Sequence, residues 1–257
     1  MIHQSKSYIE FLRLSKNKHG VHSPFVYNLV TKCFNDNIKY PEYLILKSYK
    51  KALREDNSII EMTDLGQGSK VFKEKFRKVS SVAKQAGMKL KRQQLLFRLA
   101  KYFEIESALE LGTSLGLSTA SLSLGTMSGK VDTVEGCKNT AAKANEYFHN
   151  FKLDNIKIHQ NSFSDFFSKA ETKEYDLIFL DGDHNGERTL SYFYELKKNA
   201  HNNTVLILDD IYWSKDMTRA WRAIIQNEKV TVSIDTFQWG LVFFRKEQPK
   251  QHFVIRV

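Results

Sequence analysis

The sequence has 257 residues, of which 42% are hydrophobic, and a formal net charge of +10. This length suits one α/β domain with an extension, and no apolar run is long enough to cross a bilayer. The first eight residues lack the apolar core of a signal peptide, and Cys33 and Cys137 indicate neither a disulfide framework nor a zinc site. We therefore expect a cytoplasmic protein.

The positive charge is concentrated in the N-terminal part of the chain. Residues 1–100 contain 20 Lys or Arg and 8 Asp or Glu, whereas the remainder contains 19 and 21. A basic region of this kind contacts RNA, anionic lipid or an acidic substrate, or forms a solvated helical surface. We expect the solvated surface and keep nucleic acid as the alternative.

The N-terminal part of the chain is predicted to be helical. Apolar patterns predict helices over residues 2–15, 24–34, 41–54 and 89–103. The second of them follows Ser23-Pro24, which is typical of an N-cap with proline at the first helical position. We predict a basic helical extension over residues 1–88, followed by a second domain over residues 89–257.

Strand-like and helix-like segments alternate from residue 104 onward. The predicted strands are 107–111, 130–134, 155–159, 175–180 and 204–209, and the predicted helices are 115–125, 138–151, 163–170, 186–199 and 214–228. This alternation predicts a doubly wound, mostly parallel sheet. Residues 230–235 and 240–244 then predict a closing antiparallel hairpin.

The first strand of this region ends in Glu110-Leu-Gly-Thr-Ser-Leu-Gly116 and leads into a helix. Gly112 can adopt backbone angles that are closed to other residues. The free N–H groups of the new helix can bind ligand oxygens, and Glu110 lies where open α/β sheets bind their ligands. A glycine that serves only a tight turn is the alternative.

Polar side chains also follow the other four strands. They are Glu135, Asn161, Ser162, Asp181, Asp209 and Asp210. The carboxylate of Glu135 can accept hydrogen bonds from both ribose hydroxyls of a nucleoside, and Asn161 and Ser162 are candidates to contact the adenine. Because like charges at one sheet edge repel each other, stability does not explain the acidic residues, and the pattern favours a function.

Residues 107–244 resemble the class I S-adenosylmethionine-dependent methyltransferases, and within them the catechol/caffeoyl-CoA type of O-methyltransferase. The segment from Glu110 to Thr119 resembles the Glu-hydrophobic-Gly-x-x-x-Gly-x-Ser motif of that type, and Thr133-Val-Glu135 resembles its ribose-binding strand end. Phe179–His184 and Leu208–Trp213 resemble the aspartate-containing ends of its fourth and fifth strands. The resemblance implies a Rossmann-like fold, S-adenosylmethionine as cofactor and a small, hydroxyl-bearing acceptor. Candidate walls for a flat acceptor are Tyr212, Trp213 and Trp239, although simple packing of these aromatic residues is the favoured alternative.

The resemblance also implies the site residues. The cofactor set is Glu110, Gly112, Thr113, Ser114, Gly116, Ser118, Glu135, Asn161, Ser162 and Asp181. A magnesium ion would be held by Asp181, Asp209 and Asp210, and the catalytic set is Asp181, His184 and Asp209. Two residues depart from the family pattern, since Asp210 replaces an asparagine and His184 replaces the lysine base. A substrate-binding or capping histidine is the alternative for His184.

Three questions stay open at this point. The chain could be an RNA or protein methyltransferase that docks through its basic N-terminal region, although it lacks the Asn/Asp-Pro-Pro-aromatic segment of such enzymes after the fourth strand. It could also be a non-catalytic nucleoside-binding module. The N-terminal helices, whose segment His19–Phe25 resembles a motif of bacterial methyltransferase-like proteins, either cover the site or pair two subunits as a homodimer.

Overall fold

The computed structural model describes residues 2–17, 20–63, 74–85, 87–126, 129–169 and 173–257. His19, the first residue of the motif named above, lies outside these ranges. The chain forms two compact units. The first consists of Met1–Asn35 and Glu171–Val257, and the second of Asp36–Ala170. None of the helices within the described ranges combines the length and the apolar character that a membrane span requires.

The helices and strands follow the predicted alternation. The described helices are Ile2–Leu14 (α1), Pro24–Leu29 (α2), Glu42–Glu55 (α3), Val79–Gln85 (α4), Leu90–Tyr102 (α5), Leu117–Gly125 (α6), Lys138–Asn150 (α7), Phe163–Lys169 (α8), Gly186–Leu196 (α9) and Lys215–Gln226 (α10). The described strands are Ile59–Glu61 (β1), Phe76–Lys78 (β2), Ser107–Leu111 (β3), Lys130–Val134 (β4), Ile156–His159 (β5), Tyr175–Leu180 (β6), Ala200–Asp209 (β7), Val232–Asp235 (β8), Trp239–Phe243 (β9) and Gln251–Val254 (β10). A π-helical segment continues α2, and a 3-10 turn continues α9.

The second unit contains the parallel strands β3, β4 and β5, in that order. Leu111 is paired with Val134, and Val134 with His159. The three strands therefore end at the same level, and the residues that follow them lie along one edge of this part of the sheet. Residues Ala108–Leu111 are buried, as expected for a short apolar run covered on both faces.

The part of the predicted extension that begins at Asp36 belongs to this same unit. Helix α3 packs against α5 and α6, and the antiparallel pair β1–β2 packs against α7 through β1. The predicted domain boundary at residue 88 stays a prediction. The two compact units described above meet in sequence at residues 35/36 and 170/171.

The first unit contains strands in the order β10-β8-β9-β7-β6. Strands β6 and β7 are parallel, whereas β9 runs antiparallel to both β7 and β8. The predicted closing hairpin is thus confirmed as β8–β9. Strand β10 lies parallel to β8 and was not predicted from the sequence.

Helices α1 and α2 pack by aromatic contacts within the first unit. The rings of Tyr8 and Phe11 lie 4.8 and 5.5 Å from that of Phe237, and Phe25 makes an edge contact with Phe243 at 5.0 Å. The Ser23 hydroxyl accepts a hydrogen bond from the N–H of Val26, which confirms the predicted N-cap. These contacts fix both helices on the closing strands.

Replacing Phe11 tests whether α1 is an integral part of the first unit. Phe11 is 4% exposed, and we expect Phe11→Ala to lower the free energy of unfolding by about 3 kcal/mol, because it leaves a cavity in an aromatic cluster. Leu14→Ala on the same helix is the control, since Leu14 is 57% exposed and should lose less than about 0.5 kcal/mol. Equal urea-unfolding midpoints for the two variants would contradict this packing.

Candidate cofactor and acceptor site

The turn between β3 and α6 depends on residues with left-handed backbone angles. The φ angles of Gly112, Ser114 and Gly116 are 107°, 48° and 77°. The N–H of Gly112 donates to the carbonyl of Val134 at 3.0 Å, which ties the turn to β4. The positive φ values turn the chain sharply from strand to helix, and they explain two of the predicted glycines.

The space at Gly116 is also closed to any side chain. A Cβ atom built there would lie 2.3 Å from Cε1 of Phe148 and 2.7 Å from the hydroxyl of Tyr49. That hydroxyl donates a hydrogen bond to the carbonyl of Leu115 at 2.9 Å, and the Tyr49 ring is fully buried. Helix α3 thus fixes the middle of the turn, a role that the sequence did not reveal.

Glu110 is a buried carboxyl group within this turn. Its Oε2 accepts hydrogen bonds from the hydroxyls of Thr119 at 2.5 Å and Thr133 at 2.6 Å. Its Oε1 is buried and has no hydrogen-bond partner among the described residues. Burial raises the pKa of Glu110 to about 7, although the hydrogen bonds from Thr119 and Thr133 oppose this rise.

Glu135 follows β4 and is held by two backbone amides. One carboxylate oxygen accepts from the N–H of Ser114 and the other from the N–H of Cys137, both at 2.9 Å. The predicted ribose-binding carboxylate therefore lies directly beside the glycine turn. Each carboxylate oxygen can accept more than one hydrogen bond, so this anchoring is compatible with a diol ligand.

The remaining predicted cofactor residues of the second unit have clear local roles. Thr113 hydrogen-bonds to Thr133 at 2.6 Å, and Ser118 is buried. The N–H of Asn161 donates to the carbonyl of His159. The Ser162 hydroxyl donates to Asp165 and accepts from its N–H, which makes Ser162 a cap for α8. Adenine contact by Asn161 and Ser162 stays a prediction.

The acidic residues of the first unit follow two neighbouring strands. Leu180 is paired with Leu208, so Asp181 and Asp209 are the next residues on the parallel strands β6 and β7. Asp209 is 7% exposed and Asp181 is half-buried. The predicted juxtaposition of these two strand ends is therefore confirmed within this unit.

Backbone strain marks the loops that follow these strands. Asp183, His184 and Asp210 have φ values of 70°, 46° and 51°, and Ser114 in the second unit has 48°. These four are among seven non-glycine residues with positive φ in the described part of the chain. Such strain costs free energy and is concentrated at functional sites. Its position here supports the predicted site segments.

Asp183 is a residue whose role the sequence did not single out. One of its carboxylate oxygens lies 2.6 Å from the guanidinium of Arg188, and the other accepts a hydrogen bond from the hydroxyl of Tyr192 at 3.0 Å. Both partners lie on α9, so Asp183 anchors the loop that carries His184. The two partners appear in the sequence only as parts of an amphipathic helix.

His184 and the three candidate wall residues have different surroundings. Nδ1 of His184 is buried and has no hydrogen-bond partner among the described residues, and its ring lies 5.5 Å from that of Trp213. The Tyr212 hydroxyl donates to Asp235, and its ring stacks on Phe237. Trp239 is 1% exposed and packs on Phe179. Trp239 is therefore a packed core residue, which is the alternative that the sequence favoured over an acceptor wall.

The three carboxylates predicted to hold a metal do not form a ligand group within the described part of the structure. Asp181, Asp209 and Asp210 are all described, yet within the described ranges no three His, Cys, Asp or Glu side chains form a group that could hold a metal ion. The three carboxylates thus do not present a formed cation site here. A hard divalent cation requires several oxygen ligands at once.

Comparison with known proteins agrees with the sequence motifs. Residues 109–211 match the family model described as a methyltransferase domain. This segment begins within β3 and ends just after β7, so it contains the glycine turn and the acidic strand ends. Comparison with curated protein sequences gave no match.

Three solved structures are similar over most of the chain. The methyltransferase PaMTH1 of Podospora anserina, bound to SAH, has a TM-score of 0.63 at 13% identity, over 88% of this chain and 97% of that one. TomG of Streptomyces achromogenes, an O-methyltransferase of tomaymycin synthesis in complex with SAM, has a TM-score of 0.57 at 16% identity, over 84% of this chain and 95% of that one. The Bacillus cereus O-methyltransferase in complex with SAH has a TM-score of 0.54 at 17% identity, over 83% of this chain and 96% of that one. The predicted fold and the resemblance to class I methyltransferases are confirmed.

The raised pKa of Glu110 predicts a pH dependence of stability. Between pH 4.5, the ordinary pKa, and about pH 7, the carboxyl ionises in the unfolded chain but stays protonated in the folded one. The folded state is therefore stabilised less as pH rises through this window. We expect the wild type to lose stability relative to Glu110→Gln across it, as measured by urea unfolding. The exposed Glu187→Gln is the control, and parallel curves for all three proteins would contradict the raised pKa.

Proposed function

We propose that this chain is an S-adenosylmethionine-dependent O-methyltransferase that acts on a small hydroxyl-bearing acceptor. The proposal rests above all on the hydrogen bond between Glu135 and the N–H of Ser114, which holds an acidic strand end against the glycine turn. A nucleoside cofactor needs both elements. The acidic strand end accepts hydrogen bonds from its ribose hydroxyls, and the glycine turn lets the protein backbone approach it closely. The methyltransferase-domain match over residues 109–211 supports the same reading.

The residues of the turn fit such a donor. Gly112, Ser114 and Gly116 give the turn the sharp backbone path that lets a ligand approach it closely, and Glu110 Oε1 is a buried acceptor without a partner among the described residues. A buried acceptor of this kind is costly unless a ligand or water satisfies it. We assign Glu110, Gly112, Thr113, Ser114, Gly116, Ser118 and Glu135 to the donor site, with Asn161, Ser162 and Asp181 as further members.

On the acceptor side, the residues of the first unit would position the substrate and remove its proton. The bound donor supplies a methyl group on a sulfonium, which needs little activation from the protein. A hydroxyl acceptor must lose its proton to a base. We assign that proton to the imidazole of His184, whose Nδ1 the described residues leave without a partner. Asp181 and Asp209 are the carboxylates that would orient the acceptor.

A magnesium ion at Asp181, Asp209 and Asp210 is the alternative to this metal-free base, and it is supported only by the types of these side chains. We derive no step through it, because the described residues form no group of three ligands. We expect turnover to continue in EDTA, since His184 can supply the base. Activity that EDTA abolishes and that Mg²⁺, but not Ca²⁺, restores would instead favour the cation.

Cofactor binding by Glu135 variants tests the proposed function. We expect Glu135→Ala to weaken S-adenosylmethionine binding at least tenfold, which is about 1.4 kcal/mol, because the ribose loses its acceptor. Isothermal titration calorimetry on the full chain measures this change. Glu146→Ala is the matched control, since Glu146 lies on α7 of the same unit and its side chain is 54% exposed. Normal affinity in Glu135→Ala would disprove the ribose assignment.

A further inference from the structure

A charged cleft lies between α1 and α10 in the first unit. Its volume is about 540 Å³, and its lining residues recur at i, i+3, i+4 and i+7 on each helix. On α10 these positions hold Lys215, Thr218, Arg219 and Arg222. Helices that pack closely place apolar residues at such positions. Here the facing stripes are polar, so close packing does not account for them.

The floor of the cleft is built from hydroxyl and imidazole groups. Ser7 and Thr218 are 7% and 6% exposed. Thr218 Oγ1 shares a hydrogen bond with Nε2 of His3 at 2.9 Å and donates to the carbonyl of Ser214 at 3.0 Å. The hydroxyl of Thr218 is thereby fixed in position. These groups satisfy one another and the helix backbone, so they shape the floor of the cleft, and an anion would be held by the side chains of the rim.

The rim of the cleft is strongly cationic. It holds Lys6, Lys215, Arg219 and Arg222, against the single carboxylate of Glu10. All four cations are exposed. Arg219 forms an ion pair with Asp216 at 3.2 Å on its own helix. The other three cations make no ion pair with any residue in the described part of the chain.

This arrangement works against helix stability. Lys215, Arg219 and Arg222 share one face of α10, and like charges three or four residues apart repel each other. Lys215 also occupies the first turn, where the positive end of the helix dipole disfavours a cation. A bound anion would relieve both effects. The chain therefore carries a cost here that an anionic ligand would offset.

We propose that this cleft binds the phosphate group of a small molecule. The planar guanidinium groups of Arg219 and Arg222 match the geometry of phosphate oxygens, and Lys6 adds a point charge from the opposite helix. A cleft of 540 Å³ is of the size that holds a small ligand. Nucleic acid instead needs an extended basic groove that follows many phosphates. This site is independent of the proposed methyl transfer.

The test uses pyrophosphate as the probe and the full chain as the protein. We expect saturable binding by calorimetry at fixed ionic strength, and a rise in melting temperature with pyrophosphate concentration, since a ligand of the folded state stabilises it. The double variant Lys6→Gln/Arg222→Gln should bind at least tenfold more weakly. Its control is Lys91→Gln/Lys130→Gln, which removes the same charge from exposed positions of the second unit and should bind normally.

Several outcomes would overturn the proposal. Absence of saturable binding would mean that the cleft is not a phosphate site. An equal loss of affinity in both double variants would mean that pyrophosphate responds only to the net charge of the protein. Binding of a 20-nucleotide single-stranded RNA that requires Lys6 and Arg222, with no binding of pyrophosphate, would make the cleft part of a nucleic-acid surface. The melting temperatures without ligand show whether each variant is folded, because the four substituted side chains are all exposed.

Discussion

The close packing at Gly116 is the constraint on which the second unit depends. Tyr49 and Phe148 occupy the space where a side chain would begin, and Tyr49 also binds the carbonyl of Leu115. The turn therefore has one conformation, and that conformation presents the Ser114 N–H to Glu135. Since a 1 Å shift in a binding group is costly, we infer that α3 sets the precision of the proposed donor site.

The regular part of the fold could be predicted because its signals are local. Strands β3, β4 and β6 begin and end at the predicted residues, and helices such as α7 differ by only one residue at an end. Each is a buried apolar run or an amphipathic stretch bounded by glycine or polar residues. The acidic strand ends could be found for the same reason, since they follow these runs directly.

The parts that escaped prediction depend on contacts between distant segments. Strands β1 and β2 have only three residues each, too few to show an alternating pattern, and β10 is formed by pairing with β8. The sequence favours packing of Trp239, but it does not show that the strand containing this residue is buried along its whole length. Tyr49 lies 66 residues from the carbonyl that it binds. No spacing rule connects positions so far apart.

The position of Cys137 has a consequence for chemical labelling. This residue directly precedes α7 and is buried, and its thiol accepts from the N–H of Thr63 and donates to the carbonyl of Glu61. A thiol covered in this way reacts with alkylating reagents only when the end of β1 separates from α7. Because Cys137 lies two residues after Glu135, its alkylation rate would report how often this part of the proposed donor site opens to solvent.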